Sequence, residues 1–173
     1  MSAASTPGSI GLAGTAGTLG AVKHLHGTAH AAVPTPADDC FALLAALEAY
    51  PTWYPDVVRD VTVVDRGDDG GVRRAQAALH LAYGPVSRDL DLLLAVRVDR
   101  PQSVQLTHVP RGASSGASFD ATWWLDDDAG TKMRLELDAT MPVPRLVPLG
   151  RVGDAFADGF MQAAVRELGR RDS

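Results

Sequence analysis

His108 and Arg88 are the residues of this chain best placed to do chemistry. Each lies in an alternating stretch, 103–109 and 86–99, and alternation puts each on the apolar face of its strand. A polar group on a buried face needs a partner or costs roughly 2–7 kcal/mol. Tyr50, Tyr54 and Tyr83 bring hydroxyls that could meet them. Apolar walls with a few convergent polar groups are the usual design of a ligand site. There His108 would act as a general acid–base near neutral pH, with Arg88 or a tyrosine stabilising an enolate. The plainer reading is that Arg88, just after a turn, reaches water, and that His108, just before Val109-Pro110, ends its strand.

Other motifs carry less. Gly112-Ala113-Ser114-Ser115-Gly116 matches the G-x-S-x-G pattern, but that elbow needs a strand before it and a helix after it. A strand follows here, so a hairpin loop is expected. His24, His26 and His30 share one face of the first strand. Alternate histidines can hold zinc when a third ligand is near. Theirs is the face opposite the apolar one, so they are read as solvent-side and no metal is expected. Asp126-Asp127-Asp128 lacks the spaced ligands of a calcium loop and reads as a turn.

The totals bound the answer. A chain of 173 residues can bury one sizeable core. With 46% apolar and 21% charged residues it has the composition of a soluble globular protein. A net charge of −5 without a basic run argues against a nucleic-acid or anionic-membrane partner. The single cysteine, Cys40, allows no intrachain disulfide and points to a reducing, cytoplasmic compartment. No stretch approaches the ~20 apolar residues of a membrane span. Residues 1–22, rich in Ala, Gly, Ser and Thr, read as a flexible tail without the features of a signal peptide. Residues 23–171 read as one domain.

Its elements follow from periodicity. Residues 23–33 alternate as a strand, with Leu25, Gly27, Ala29, Ala31 and Val33 on one face. Thr35 as N-cap and Pro36 at the first position open a helix that should stop near Tyr50-Pro51. Trp53-Tyr54-Pro55 then starts a short turn that could cover a mouth. Strands are predicted at 57–66, 72–83, 86–99, 103–109, 117–126 and 131–141. Pro142, Pro144 and Pro148 should break the chain before a helix at 149–168. Val152, Phe156, Phe160, Ala163 and Ala164 line one side of that helix. The stripe fades at Glu167, so its last turn should leave the core. Gly153 and Gly159 interrupt the buried side, which means either a cavity or a very close approach to the sheet. Trp124 should face outward and could mark a partner surface. The architecture is α+β: a curved antiparallel sheet wrapped around a long C-terminal helix.

The order of elements, together with Tyr50-Pro51-Thr52-Trp53-Tyr54-Pro55, resembles the START-like helix-grip superfamily. Further matching points are Pro34 to Pro36, Asp99-Arg100-Pro101, and Gly116 leading into the Phe119 strand. Within the superfamily the chain looks most like the bacterial polyketide cyclase/dehydrase and lipid-transport family. That resemblance implies an elongated apolar cavity between sheet and helix. Its walls would be Tyr50, Trp53 and Tyr54; Leu79 and Tyr83; Arg88, Leu90 and Leu92; His108, Phe119 and Trp123; Met133 and Leu135; and Phe156 and Phe160. It implies a hydrophobic small-molecule ligand, lipid or polyketide-like, and no metal or organic cofactor. It carries over no catalytic residue. Binding alone, cofactor-free cyclisation or dehydration of a poly-β-carbonyl using His108, and a toxin-like or ribosome-directed role all remain open, as does oligomeric state.

Overall fold

The computed structural model describes residues 20–111, 116–146 and 148–173. Ser114 and most of the expected N-terminal tail lie outside the described residues. Seven strands are present: β1 (Gly20–Val33), β2 (Val58–Arg66), β3 (Val72–Tyr83), β4 (Val86–Asp99), β5 (Ser103–His108), β6 (Ser118–Asp127) and β7 (Thr131–Pro144). The helices are α1 (Ala37–Ala45), α2 (Tyr50–Trp53) and α3 (Val152–Arg171), with a 3-10 turn at Leu47–Ala49. The strands form one antiparallel sheet in the order β1-β7-β6-β5-β4-β3-β2. Every neighbour pair except β1–β7 is consecutive in the chain. Gly84 takes a φ of +55° between Tyr83 and its partner Val86, the backbone a two-residue hairpin turn needs at its first position.

Alternation decides the inner face. Leu25, Leu79, Leu92, Leu106, Trp123 and Leu135 all turn toward the helices and are buried. The only buried polar residues described are Thr35 and Thr131. The sheet and α3 together make the helix-grip fold of START-like domains. Across it α3 lies mainly against β1. A Cβ added to Gly27 would fall on the Gly153 carbonyl, and one added to Gly153 would fall on the His26 carbonyl. Backbone thus packs on backbone. Beside this contact Asp154 Oδ1 accepts the Thr28 backbone N–H at 3.1 Å, so the first turn of α3 covers part of an edge strand.

Four local expectations change. Thr35 does not cap α1. Pro36 holds the cap position, while the Thr35 hydroxyl donates to Asp172 Oδ2 at 2.6 Å and its carbonyl accepts from the Thr131 hydroxyl at 2.6 Å. Leu168 is the last buried residue of α3 and residues 169–171 are exposed, so the helix leaves the core in its last turn, as the fading stripe predicts. Second, α1 ends at Ala45, and Pro51 sits in the first turn of α2, where its missing N–H costs nothing. Third, Pro142 and Pro144 lie inside β7. The β6 pairing reaches only Thr140, and the Pro142 carbonyl accepts from Arg88, so its missing donor falls on a side without a neighbouring strand. Fourth, α3 begins at Val152, not Leu149, and β1 at Gly20, not Lys23. Among the described residues no helix is long and apolar enough to cross a membrane.

Candidate ligand site between sheet and helix

A run of aromatic rings crosses the interior from α2 to β6. The Tyr50 ring lies 4.6 Å from Trp53, and Trp53 stacks near-parallel on Tyr54 at 6.3 Å. Tyr54 meets Phe160 edge-on at 4.8 Å, and Phe160 lies 6.2 Å from Phe119. Such pairs add ~0.5–1.5 kcal/mol beyond burial. The short α2 and its C-terminal cap residue Tyr54 place three of these rings within about one turn.

Two hydroxyls have different fates. The Tyr50 hydroxyl donates to the Leu44 carbonyl at 2.7 Å, near the end of α1. Burial pushes its ionisation far above the ordinary range. Tyr50 is therefore a structural tie. The Tyr54 hydroxyl rests against Gly159, where a Cβ would displace it. Burial, then the nearby Asp56 carboxylate, raise its pKa. Both phenols stay protonated at neutral pH, fit to donate hydrogen bonds and not to act as bases. Trp53 is 6% exposed, and its indole nitrogen is a buried donor with no acceptor among the described residues.

The remaining expected wall residues divide in two. Leu79, Leu90, Leu92, Phe119, Trp123, Met133, Leu135, Phe156 and Phe160 are all on the inner face and none is more than 8% exposed. Walls of an open, ligand-sized cavity would retain more surface, so in this state they pack on one another. Gly153 serves close approach and opens no space. Tyr83, 42% exposed, and Arg88 lie beyond the covered region, at the β3–β4 hairpin. His108 ends β5 and is half-buried. Its backbone N–H donates to Asp120 Oδ1 at 2.8 Å. The residue borders a surface depression of about 390 Å³ with Asp91, Leu93, Ser118 and Thr140, apart from the aromatic run. Strand ends outrun the helices that cover the sheet, so alternation gives the face but not the burial. Sequence reasoning missed the unpartnered Trp53 donor, which has no sequence signal. It also passed over Lys23, which alternation places with Leu25 on the inner side.

On the outer face His24 Nε2 and His26 Nδ1 share Asp138 Oδ1, at 3.2 and 2.9 Å. No group of three His, Cys, Asp or Glu among the described residues is placed to hold a metal. The hydrogen bond to Asp138 raises the His26 pKa above its ordinary 6.5, with burial opposing slightly. The pairing therefore stabilises the fold fully below about pH 6.5 and fades as pH rises through the folded-state pKa. Both side chains are largely exposed, so the effect is small. An NMR titration should place the His26 midpoint above 6.5 in the wild type, and Asp138→Asn should bring it down. An unmoved midpoint would show that Asp138 is not the cause.

Comparison with known proteins follows the same outline. The family model for polyketide cyclase/dehydrase and lipid transport matches residues 24–171. The chain belongs to this family. No curated protein matches it. A protein structure from Thermus thermophilus superposes with a TM-score of 0.65 at 16% identity, covering 86% of this chain and 99% of that one. A START superfamily protein from Mycobacterium smegmatis gives 0.64 at 14%, covering 85% and 97%. The Zhui aromatase/cyclase from a Streptomyces species gives 0.55 at 16%, covering 88% and 97%. Identities this low establish the shared fold, and this member of the polyketide cyclase/dehydrase and lipid transport family keeps it across the whole matched region.

Proposed function

We propose that this protein binds a hydrophobic small molecule, a lipid or polyketide-like compound, between the sheet and α3. The observation that carries the reading is the Trp53 indole N–H, a buried donor without an acceptor among the described residues, in an otherwise apolar interior. An orphan donor costs about 1–3 kcal/mol. A carbonyl or hydroxyl oxygen on a bound molecule would accept it. Tyr54, partly exposed and resting on Gly159, is the aromatic side chain between Trp53 and solvent that would have to move for entry. The family's own description, which names lipid transport beside cyclases, supports the same class of ligand.

Cyclisation is the weaker reading. It needs a base in the interior, and Tyr50 and Tyr54 are both held in the protonated form while His108 sits half-buried at the end of β5, away from the aromatic run.

The test is titration calorimetry with emodin, a hydroxylated anthraquinone, on wild type and Trp53→Phe. The wild type should take up one equivalent. The variant should bind about tenfold more weakly, the value of one hydrogen bond. Its stability should change by no more than about 1–2 kcal/mol, because relief of the orphan donor offsets part of the packing lost with the smaller ring. Equal affinities would remove Trp53 from the site. Absence of binding by emodin and by the neutral dye Nile red would sink the interior reading altogether.

A further inference from the structure

Because neighbouring strands are antiparallel, β1, β4 and β6 begin, and β3, β5 and β7 end, at the same end of the sheet. There β5 pairs with β4 only from Leu94 onward, and β6 pairs with β7 only up to Thr140. The start of β4 and the end of β7 therefore run on past their neighbours. Arg88 spans the gap between them: its Nε donates to the Pro142 carbonyl at 3.3 Å, and its Nη1 to the Ser87 carbonyl at 3.4 Å. Lys23, opposite Met141, donates from Nζ to the Arg145 carbonyl at 3.0 Å. Two cationic side chains thus reach the backbone carbonyls of Pro142 and Arg145.

Their charges are distributed unevenly across the sheet. Alternation puts Lys23 with Leu25 and Arg88 with Leu90, on the inner side of the rim. No carboxylate among the described residues pairs with Arg88 or Arg145; Arg88's partners are neutral carbonyls. The acids nearest this end, Asp89, Asp91, Asp120 and Asp138, sit at the alternate, outward positions. Three are engaged there: Asp89 with His80, Asp120 with the His108 backbone, and Asp138 with His24 and His26. Among the described residues the interior holds no buried charge.

We infer that the ligand is an acidic amphiphile, an apolar body carrying one carboxylate, with its anionic head held by Arg88 at this rim. The inference rests on the reading that the body enters between sheet and α3. An interior without charge cannot take an ionised group, so that group stays where the cations are. A carboxylate would replace the Pro142 carbonyl on Arg88 with a charge-assisted bond, roughly twice as strong as a neutral one. The chain's net charge of −5 gives no general attraction for anions, so any preference for them must be local. A free fatty acid and an acidic polyketide share this chemistry.

Fluorescence titration with cis-parinaric acid and with its methyl ester separates the possibilities. The wild type should prefer the acid by about tenfold at low salt, and the preference should shrink as salt rises. Arg88→Met keeps the alkyl stem and should abolish the preference, the acid losing about tenfold in affinity and the ester far less. Equal wild-type affinities for acid and ester overturn the anionic head but leave interior binding standing. A preference that persists in both Arg88→Met and Arg88→Glu overturns the assignment to Arg88. If neither probe binds, the interior reading fails and takes this inference with it. Arg88 is exposed, so the variants should fold, and thermal melting checks that they do.

Discussion

Gly153→Ala should destabilise the protein even though alanine is the better helix former. The exchange gains about 1 kcal/mol of helix propensity. The new methyl, however, would meet the His26 carbonyl and the Gly27 backbone of β1, and no rotamer change can relieve a clash with main chain. Overpacking of this kind costs about 1–3 kcal/mol, and more where nothing can give. The net loss in a urea denaturation midpoint should be about 1–2 kcal/mol. Gly169, in the same helix, is the internal control. A Cβ there meets nothing, so Gly169→Ala should stabilise by up to about 1 kcal/mol. If both substitutions stabilise, the close helix–strand contact is not a constraint in solution.

Trp123→Ala should have the larger effect. Trp123 is 1% exposed and heads the fully buried side chains by volume. Truncating a buried tryptophan costs about 3–5 kcal/mol, part of it for the space left behind. The bond from the Tyr50 hydroxyl to the Leu44 carbonyl should survive, so the loss is one of packing. Free indole should restore part of the stability, because a dry, apolar hole takes up a matching apolar molecule. A midpoint shift worth under about 1 kcal/mol would mean that the wall can collapse into the space. Partial rescue by indole would show directly that the interior accepts aromatic guests.

The sequence was most informative where periodicity alone decides. The bounds of β3 and β4 follow from alternation between Gly70-Gly71, Gly84-Pro85 and Pro101, because local turn chemistry ends each strand. The Tyr-Pro-x-Trp-Tyr-Pro stretch was legible as a short element of its own, since its prolines prevent a long helix. Thr35 misled because its hydroxyl is claimed by Asp172, 137 positions away, and no local rule sees that partner. His108, Tyr83 and Arg88 were placed on the correct face of the sheet. Their exposure depends on how far the helices reach, which is a property of packing. Gly153 was recognised as a gap in a stripe, but its meaning depends on Gly27, a residue of another strand. The two glycines make one contact, and only the fold brings them together.

The strand order also has a kinetic consequence. From β2 to β7 each strand pairs with the next through a short connection, so those loops close at little entropic cost. The β1–β7 ladder joins residues such as Leu25 and Ala139 and must close a loop of most of the chain. Long-range pairings of this kind are slow to form. Six strands are therefore expected to assemble as a meander, with β1 and the α3 that rests on it docking last. In the native protein the same pair should be the first to detach in sub-global opening. The interior would then be uncovered by the release of one edge strand and one helix, while the meander beneath stays folded.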